Sequence, residues 1–288
     1  MSSESKGAPG ALMQGKRGLI MGVANDHSIA WGIAKALFDQ GAKLAFTYQG
    51  EALGKRVKPL AASVNSDFML ECDVENVASV DSVFSEIGKK WGGLDFIVHA
   101  IGFSDKNELK GRYADTTRDN FVRTMVISCF SFTEVAKRAA AIMPPGGSML
   151  TLTYNGGDRA MPNYNVMGLA KAALESSVRY LAVDFGGQGI RVNAISAGPI
   201  RTLAGAGIND ARYMFAFQQK YSPLRRGVTL EDLGGAGLYL LSDLSGGVTG
   251  EIHFVDAGYN VIAMPQPDAL RESGIGSAYS VAPKDAGQ

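Results

Sequence analysis

Short apolar runs alternate with longer segments of helical spacing along most of this chain. Arg17–Met21 is too short for a helix and is closed by Gly22, so it reads as a strand. Ile29–Gln40 places Ile29, Ile33, Ala36 and Leu37 on one helical face, and Gly41 supplies the stop. The same alternation gives strands at Lys43–Tyr48, Asp67–Cys72, Phe96–Ile101, Ser148–Tyr154, Arg191–Ser196 and Glu251–Val255. Helices are predicted at Glu51–Ala62, Val77–Trp91, Thr117–Ile142, Asn165–Asp184, Ala211–Tyr221 and Leu230–Leu241. Strand–helix alternation of this kind predicts an α/β fold. It is a single-domain, doubly wound parallel sheet of about seven strands, with helices on both faces and right-handed crossovers. No break in composition marks a second domain, so residues 16–264 are read as one unit. Residues 1–15 are expected to form a flexible arm. Residues 265–288 lack apolar periodicity and are expected to be a mobile tail or to lie across a neighbouring subunit.

Charge narrows the function classes. Lys plus Arg equals Asp plus Glu, 28 each in 288 residues, so there is no basic field for nucleic acid or an anionic membrane. The 36 glycines are spread between apolar runs, unlike a low-complexity tract. Cys72 and Cys129 both stand in apolar surroundings and read as buried thiols, with no disulfide framework. The three histidines are far apart, and no Cys/His cluster has the spacing of metal ligands. Met1–Gly15 is polar, without the apolar core of a signal segment, and no apolar run approaches a membrane span. A soluble, cytoplasmic protein is expected.

In an open α/β sheet, ligands bind beyond the carboxyl ends of the strands, so those ends are where chemistry is sought. After the first strand, Gly22 permits a tight turn, and small residues let the backbone approach a pyrophosphate at the next helix N-terminus. Ser28 is placed either to cap that helix or to touch phosphate. The glycine spacing is not that of a G-x-G-x-x-G. The second strand ends at Gln49, where a Rossmann-type site usually carries Asp or Glu for a ribose, or Arg nearby for a 2′-phosphate. The third ends Asp73-Val74; Asp73 is suited either to an adenine amino group or to capping the next helix. The fourth ends Ile101-Gly102, where a glycine lets the backbone pack on a ribose.

The fifth strand leads into Tyr154, Tyr164 and Lys171. Were the chain helical from Tyr164, seven residues would span nearly two turns, about 10.5 Å, and put Tyr164 and Lys171 on one face. The lysine charge is then expected to favour phenolate over phenol.

Gly22 to Gly32, Gln49, Asp73-Val74, Ile101-Gly102, the Tyr154…Tyr164…Lys171 series and Ala197-Gly198-Pro199-Ile200-Arg201-Thr202 together resemble the bacterial enoyl-acyl-carrier-protein reductases. These are a divergent branch of the short-chain dehydrogenase/reductases. The likeness spans about Gly15 to Met264. Its most specific piece is the spacing Tyr-x9-Tyr-x6-Lys; none of the ten tyrosines has a lysine four residues on, as common short-chain enzymes require. The resemblance implies NADH held by Gly22, Ser28, Ile29, Gln49, Asp73, Val74, Ile101, Ile200 and Thr202, with Lys171 on the nicotinamide ribose. It implies Tyr154, Tyr164 and Lys171 as the catalytic group, with Ser104, Tyr164 and Ile208 against substrate. It further implies an enoyl substrate linked to acyl carrier protein, a homotetramer, and binding of diphenyl-ether inhibitors. Tyr164 is suited to stabilise the enolate oxygen that forms as the double bond is reduced. Thr202–Asp210, rich in Gly and Ala, reads as a flexible substrate loop. Two other readings remain on the same fold: a short-chain enzyme acting on a carbonyl, and a non-enzymatic NAD-binding protein.

Overall fold

The computed structural model describes residues 12–200 and 211–264. Seven parallel strands form one sheet: β1 (Arg17–Met21), β2 (Lys43–Tyr48), β3 (Met69–Glu71), β4 (Phe96–His99), β5 (Ser148–Thr153), β6 (Arg191–Ala197) and β7 (Ile252–Val255). Their order is β3-β2-β1-β4-β5-β6-β7, with every pairing parallel. The order reverses between β1 and β4, which opens a crevice at the carboxyl ends of these two strands.

The strands read as unbroken apolar runs because both faces of the sheet are covered. Side chains alternate along each strand, so Leu19, Met21, Ile97 and Met149 enter one core, while Ile20, Val98 and Leu150 enter the other. The first core is closed by α3 (Val77–Trp91), α5 (Ser131–Ala140) and α6 (Asn165–Gly186). The second is closed by α1 (Ile29–Asp39), α2 (Gly50–Ser63) and α8 (Leu230–Leu241). Helix α4 (Arg118–Met125) precedes α5, and α7 (Ala211–Tyr221) precedes α8. Among the described residues, no helix is long and apolar enough to cross a membrane, and no cluster of His, Cys, Asp or Glu is placed to hold a metal. Cys72 and Cys129 are free and buried, as expected.

Three differences from the sequence reading bear on the site. The helix predicted over Thr117–Ile142 is interrupted by a π turn at Val126–Phe130, which separates α4 from α5. Apolar periodicity runs through a π turn with one residue added, so the pattern gives no warning of it. β4 stops at His99, two residues early, because the backbone after Ala100 leaves the sheet to line the crevice. β3 is the short outer edge, and its flanks are tied by single bonds, Phe46 N–H to Phe68 O and Cys72 N–H to Tyr48 O.

Candidate active site

A cavity of about 380 Å³ lies beyond the carboxyl ends of β1, β4, β5 and β6. It brings together Gly22, Ser28, Ile29, Ile101, Ser104, Tyr154, Tyr164, Lys171 and Ile200, nine of the residues singled out in the sequence. Gln49, Asp73 and Val74 do not line it. They follow β2 and β3, farther along the same sheet edge. Thr202 and Ile208, with the rest of the Thr202–Asp210 stretch, lie outside the described residues, as do residues 1–11 and 265–288.

The β1 end is built for a close approach. Gly22 has φ +94°, and a Cβ there would stand 2.1 Å from the Ala100 carbonyl oxygen, so a side chain is excluded twice over. Ser28 occupies the N-cap position of α1 without capping it. Its hydroxyl turns back to accept from Ala24 N–H at 3.0 Å and Asn25 N–H at 3.1 Å, which closes the turn. The first N–H groups of α1 have no partner within the helix, and Ile29 and Ala30 line the cavity. A helix N-terminus beside a glycine turn suits a diphosphate. At the β3 end, the alternative left open for Asp73 is decided against capping. Asn76 caps α3, accepting from Ala78 and Ser79 N–H, while Asp73 accepts from Glu75 N–H at 2.9 Å. The residues at this sheet edge therefore suit a dinucleotide.

The other end carries the reactive side chains. Tyr164 is not helical, as the seven-residue estimate assumed; it stands at the N-cap of α6 with φ −119°. Its neighbours Asn163 and Asn165 both take positive φ, 57° and 35°, a conformation Asn tolerates better than most residues. Asn165 then anchors the start of α6 by donating to Glu108 O at 3.0 Å and Lys110 O at 3.2 Å. The Tyr164 ring meets the Tyr154 ring edge-on, centroids 5.1 Å apart at 71°. Behind it lies Gly156, where a Cβ would come within 2.4 Å of the ring, so only glycine leaves room. Burial drives the Tyr164 hydroxyl well above the ordinary phenol value, and nearby Tyr154 and Glu175 act in the same direction. Burial therefore outweighs the pull toward phenolate expected from the Lys171 charge, and Tyr164 stays a neutral phenol, a donor.

Lys171 is buried one and a half turns into α6 and donates to Leu152 O at 2.9 Å. Burial lowers its pKa to about 8, with the thiol of Cys129 and the carboxylate of Glu175 pulling the other way. Glu175, one helical turn further on, accepts from Thr153 Oγ1 at 2.6 Å, and burial raises its pKa. The Tyr154 hydroxyl is buried without a hydrogen-bond partner among the described residues, and burial also raises its pKa. An orphaned hydroxyl of this kind costs about 1–3 kcal/mol, a cost that a ligand's polar atom would relieve. Ser104 lines the cavity, but its hydroxyl is already held by Thr124 Oγ1 at 3.0 Å and by Asn120.

Sequence reasoning missed Thr153, Met167 and Leu109 among the lining residues. Met167 stands three residues after Tyr164, in the first turn of α6, and Leu109 belongs to the same buried cluster, so spacing from Tyr164 was the available signal for Met167.

The chain matches the family model described as enoyl-(acyl carrier protein) reductase over residues 22–260. It is 77% identical over 260 residues to enoyl-[acyl-carrier-protein] reductase [NADH] 2 of Rhizobium meliloti (strain 1021), covering 90% of this chain and 97% of that one. A solved structure of FabI from Candidatus Liberibacter asiaticus superposes with a TM-score of 0.88 at 63% identity, covering 89% of this chain and all of the other. The enoyl-acyl-carrier-protein reductase of Anaplasma phagocytophilum, solved in complex with NAD, superposes with a TM-score of 0.87 at 57% identity, covering 89% and 98%.

Proposed function

The chain belongs to the enoyl-acyl-carrier-protein reductase family and is an NADH-dependent enoyl reductase of fatty acid biosynthesis; from that premise we propose the roles its own residues take. When bound there, NADH would supply the hydride that reduces the β-carbon of a trans-2-enoyl thioester. Negative charge then develops on the thioester oxygen, where Tyr164 donates a hydrogen bond that strengthens toward the transition state. Lys171 binds the nicotinamide ribose hydroxyls and keeps positive charge beside the reaction. Tyr154, whose hydroxyl has no partner among the described residues, places the substrate or passes a proton. Gly22, Ser28, Ile29, Ile101 and Ile200 hold the nicotinamide and diphosphate side. Gln49, Asp73 and Val74 hold the adenosine, and Ser104 shapes the substrate side. The observation that carries the reading is the convergence of Tyr154, Tyr164 and Lys171 in one cavity with the Gly22 turn.

The enzyme acts on carrier-linked enoyl chains in the cytoplasm as a homotetramer. An exposed apolar surface on adjoining helices supports assembly: Val122 on α4, Phe130 in the π turn, and Tyr180 and Val183 on α6. The edge-to-face Tyr154 and Tyr164 rings offer an aromatic wall for a diphenyl-ether inhibitor.

Absorbance of NADH tests the activity. Oxidation is expected with crotonyl thioester and not with acetoacetyl thioester; the reverse pattern indicates a carbonyl reductase, and silence with both indicates a binding protein. The same assay ranks the cofactors. Gln49 follows β2 with neither the carboxylate that repels a 2′-phosphate nor the arginine that holds one. Of the nearby cations, Lys55 is paired with Glu51 at 2.7 Å. A higher kcat/KM with NADH than with NADPH is expected, and a preference for NADPH overturns this account of the β2 end.

A further inference from the structure

The wall Gly102–Ser104 is irregular backbone beside a cavity, and its N–H and C=O groups need partners. Its two ends are tied simply: Ala100 N–H donates to Met21 O, and Asp105 N–H to Asn120 Oδ1, each at 3.0 Å. Between them, both backbone groups of Phe103 go to one side chain. Ser128 Oγ accepts from Phe103 N–H at 2.9 Å and donates to Phe103 O at 3.0 Å. Ser128 is wholly buried and belongs to the π turn.

The π turn fixes where Ser128 points. In a regular helix Ser131 N–H would bond Ile127 O; here it reaches Val126 O, one residue further back. The released Ile127 carbonyl is taken by the Ser131 hydroxyl at 2.6 Å. That hydroxyl also meets His99 Nε2 at 3.0 Å, and His99 Nδ1 meets Thr151 Oγ1 at 3.2 Å. Burial lowers the pKa of His99 to about 3, so it serves as a neutral strut between the π turn and β5. A Cβ on Gly102 would stand 3.8 Å from Ser128 Oγ and 3.7 Å from Lys171 Nζ, so both groups border the same glycine.

Given the enoyl-reductase site proposed above, we infer that Ser128 is a positioning residue for the enoyl thioester. By clamping the Phe103 backbone it holds the Gly102–Ser104 wall in register with Tyr164 and Lys171. Thr124 and Asn120 hold Ser104 separately, so loss of the clamp slackens the wall without unfolding it.

The test uses the full-length protein with Ser128→Ala. Hydrogen exchange at the Phe103 amide is expected to quicken. KM for crotonyl-coenzyme A is expected to rise about tenfold, the worth of one or two lost hydrogen bonds, while NADH Kd stays within about twofold. Ser128→Cys, with a weak donor of similar shape, is expected to recover part of the loss. Unchanged KM together with unchanged Phe103 exchange overturns the inference. Equal losses for NADH and substrate also overturn it, because the clamp would then serve the cofactor. Should Ser128→Ala fail to fold, an unmoved KM in Ser128→Cys overturns it instead. Wild-type protein that does not oxidise NADH with crotonyl-coenzyme A defeats the enoyl reading itself, and exchange at Phe103 then still reports on the clamp.

Discussion

Tyr164→Phe is expected to lower kcat for the enoyl reaction about 100- to 1,000-fold, the usual consequence of removing one oxyanion donor. NADH Kd is expected to stay nearly the same. The separation follows from the geometry. Phenylalanine keeps the ring that packs edge-on against Tyr154 and fills the space left by Gly156, so the wall keeps its shape. What disappears is a hydroxyl that burial keeps protonated well above the ordinary phenol range. A group in that state donates a hydrogen bond at every working pH, and its bond strengthens as charge accumulates on the thioester oxygen. The loss therefore falls on kcat rather than on cofactor binding. Measuring kcat with crotonyl thioester, alongside an NADH titration by fluorescence, checks both halves. An unchanged kcat removes Tyr164 from the chemistry, and a parallel loss of NADH affinity reassigns it to the cofactor.

The parts of this site legible in the sequence are those set by periodicity and by residue type. Arg17–Met21, Lys43–Tyr48 and Val77–Trp91 were placed to the residue, since a buried parallel strand and a helix with one apolar face leave direct patterns. Gly22 and the Tyr154, Tyr164, Lys171 series were found because few residue types satisfy a left-handed turn or supply a phenol beside an ammonium. What escaped depends on tertiary contact. The state of Tyr164 is set by burial, which no spacing reports, so the pull of a neighbouring charge toward phenolate was legible while the stronger desolvation that favours phenol was not. The π turn is one added residue inside an apolar pattern, and Ser128 is indistinguishable from other helix serines until that turn aims it at Phe103. Asp73 looked able to cap α3, and only the backbone geometry shows that Asn76 takes that place.

Lys171 carries the second large effect, and it acts in opposite directions on binding and on stability. Lys171→Met is expected to weaken NADH binding about 10- to 100-fold, because hydrogen bonds from a charged donor are worth about 1.5–3 kcal/mol. The same change is expected to raise the stability of the ligand-free protein. Burial lowers the lysine pKa from 10.5 to about 8, and that fall corresponds to about 3 kcal/mol by which the folded protein disfavours the ammonium. Loss of the bond to Leu152 O returns about 1 kcal/mol of this, leaving a net gain of about 2 kcal/mol. The sign with pH follows from proton counting. Below pH 8 the lysine is charged both folded and unfolded, and the wild type bears the full burial cost. Between pH 8 and 10.5 the unfolded chain holds a proton that the folded protein has released, so wild-type stability from this group rises with pH. The advantage of Lys171→Met is therefore greatest below pH 8 and shrinks across that window. Denaturant unfolding of both proteins at pH 7 and pH 10, without cofactor, measures it. A variant less stable than wild type at pH 7 contradicts the buried-ammonium account. Equal NADH affinity in the two proteins contradicts the ribose contact. Were both results to hold as expected, the lysine would be a case where the site keeps a destabilising charge because the cofactor needs it.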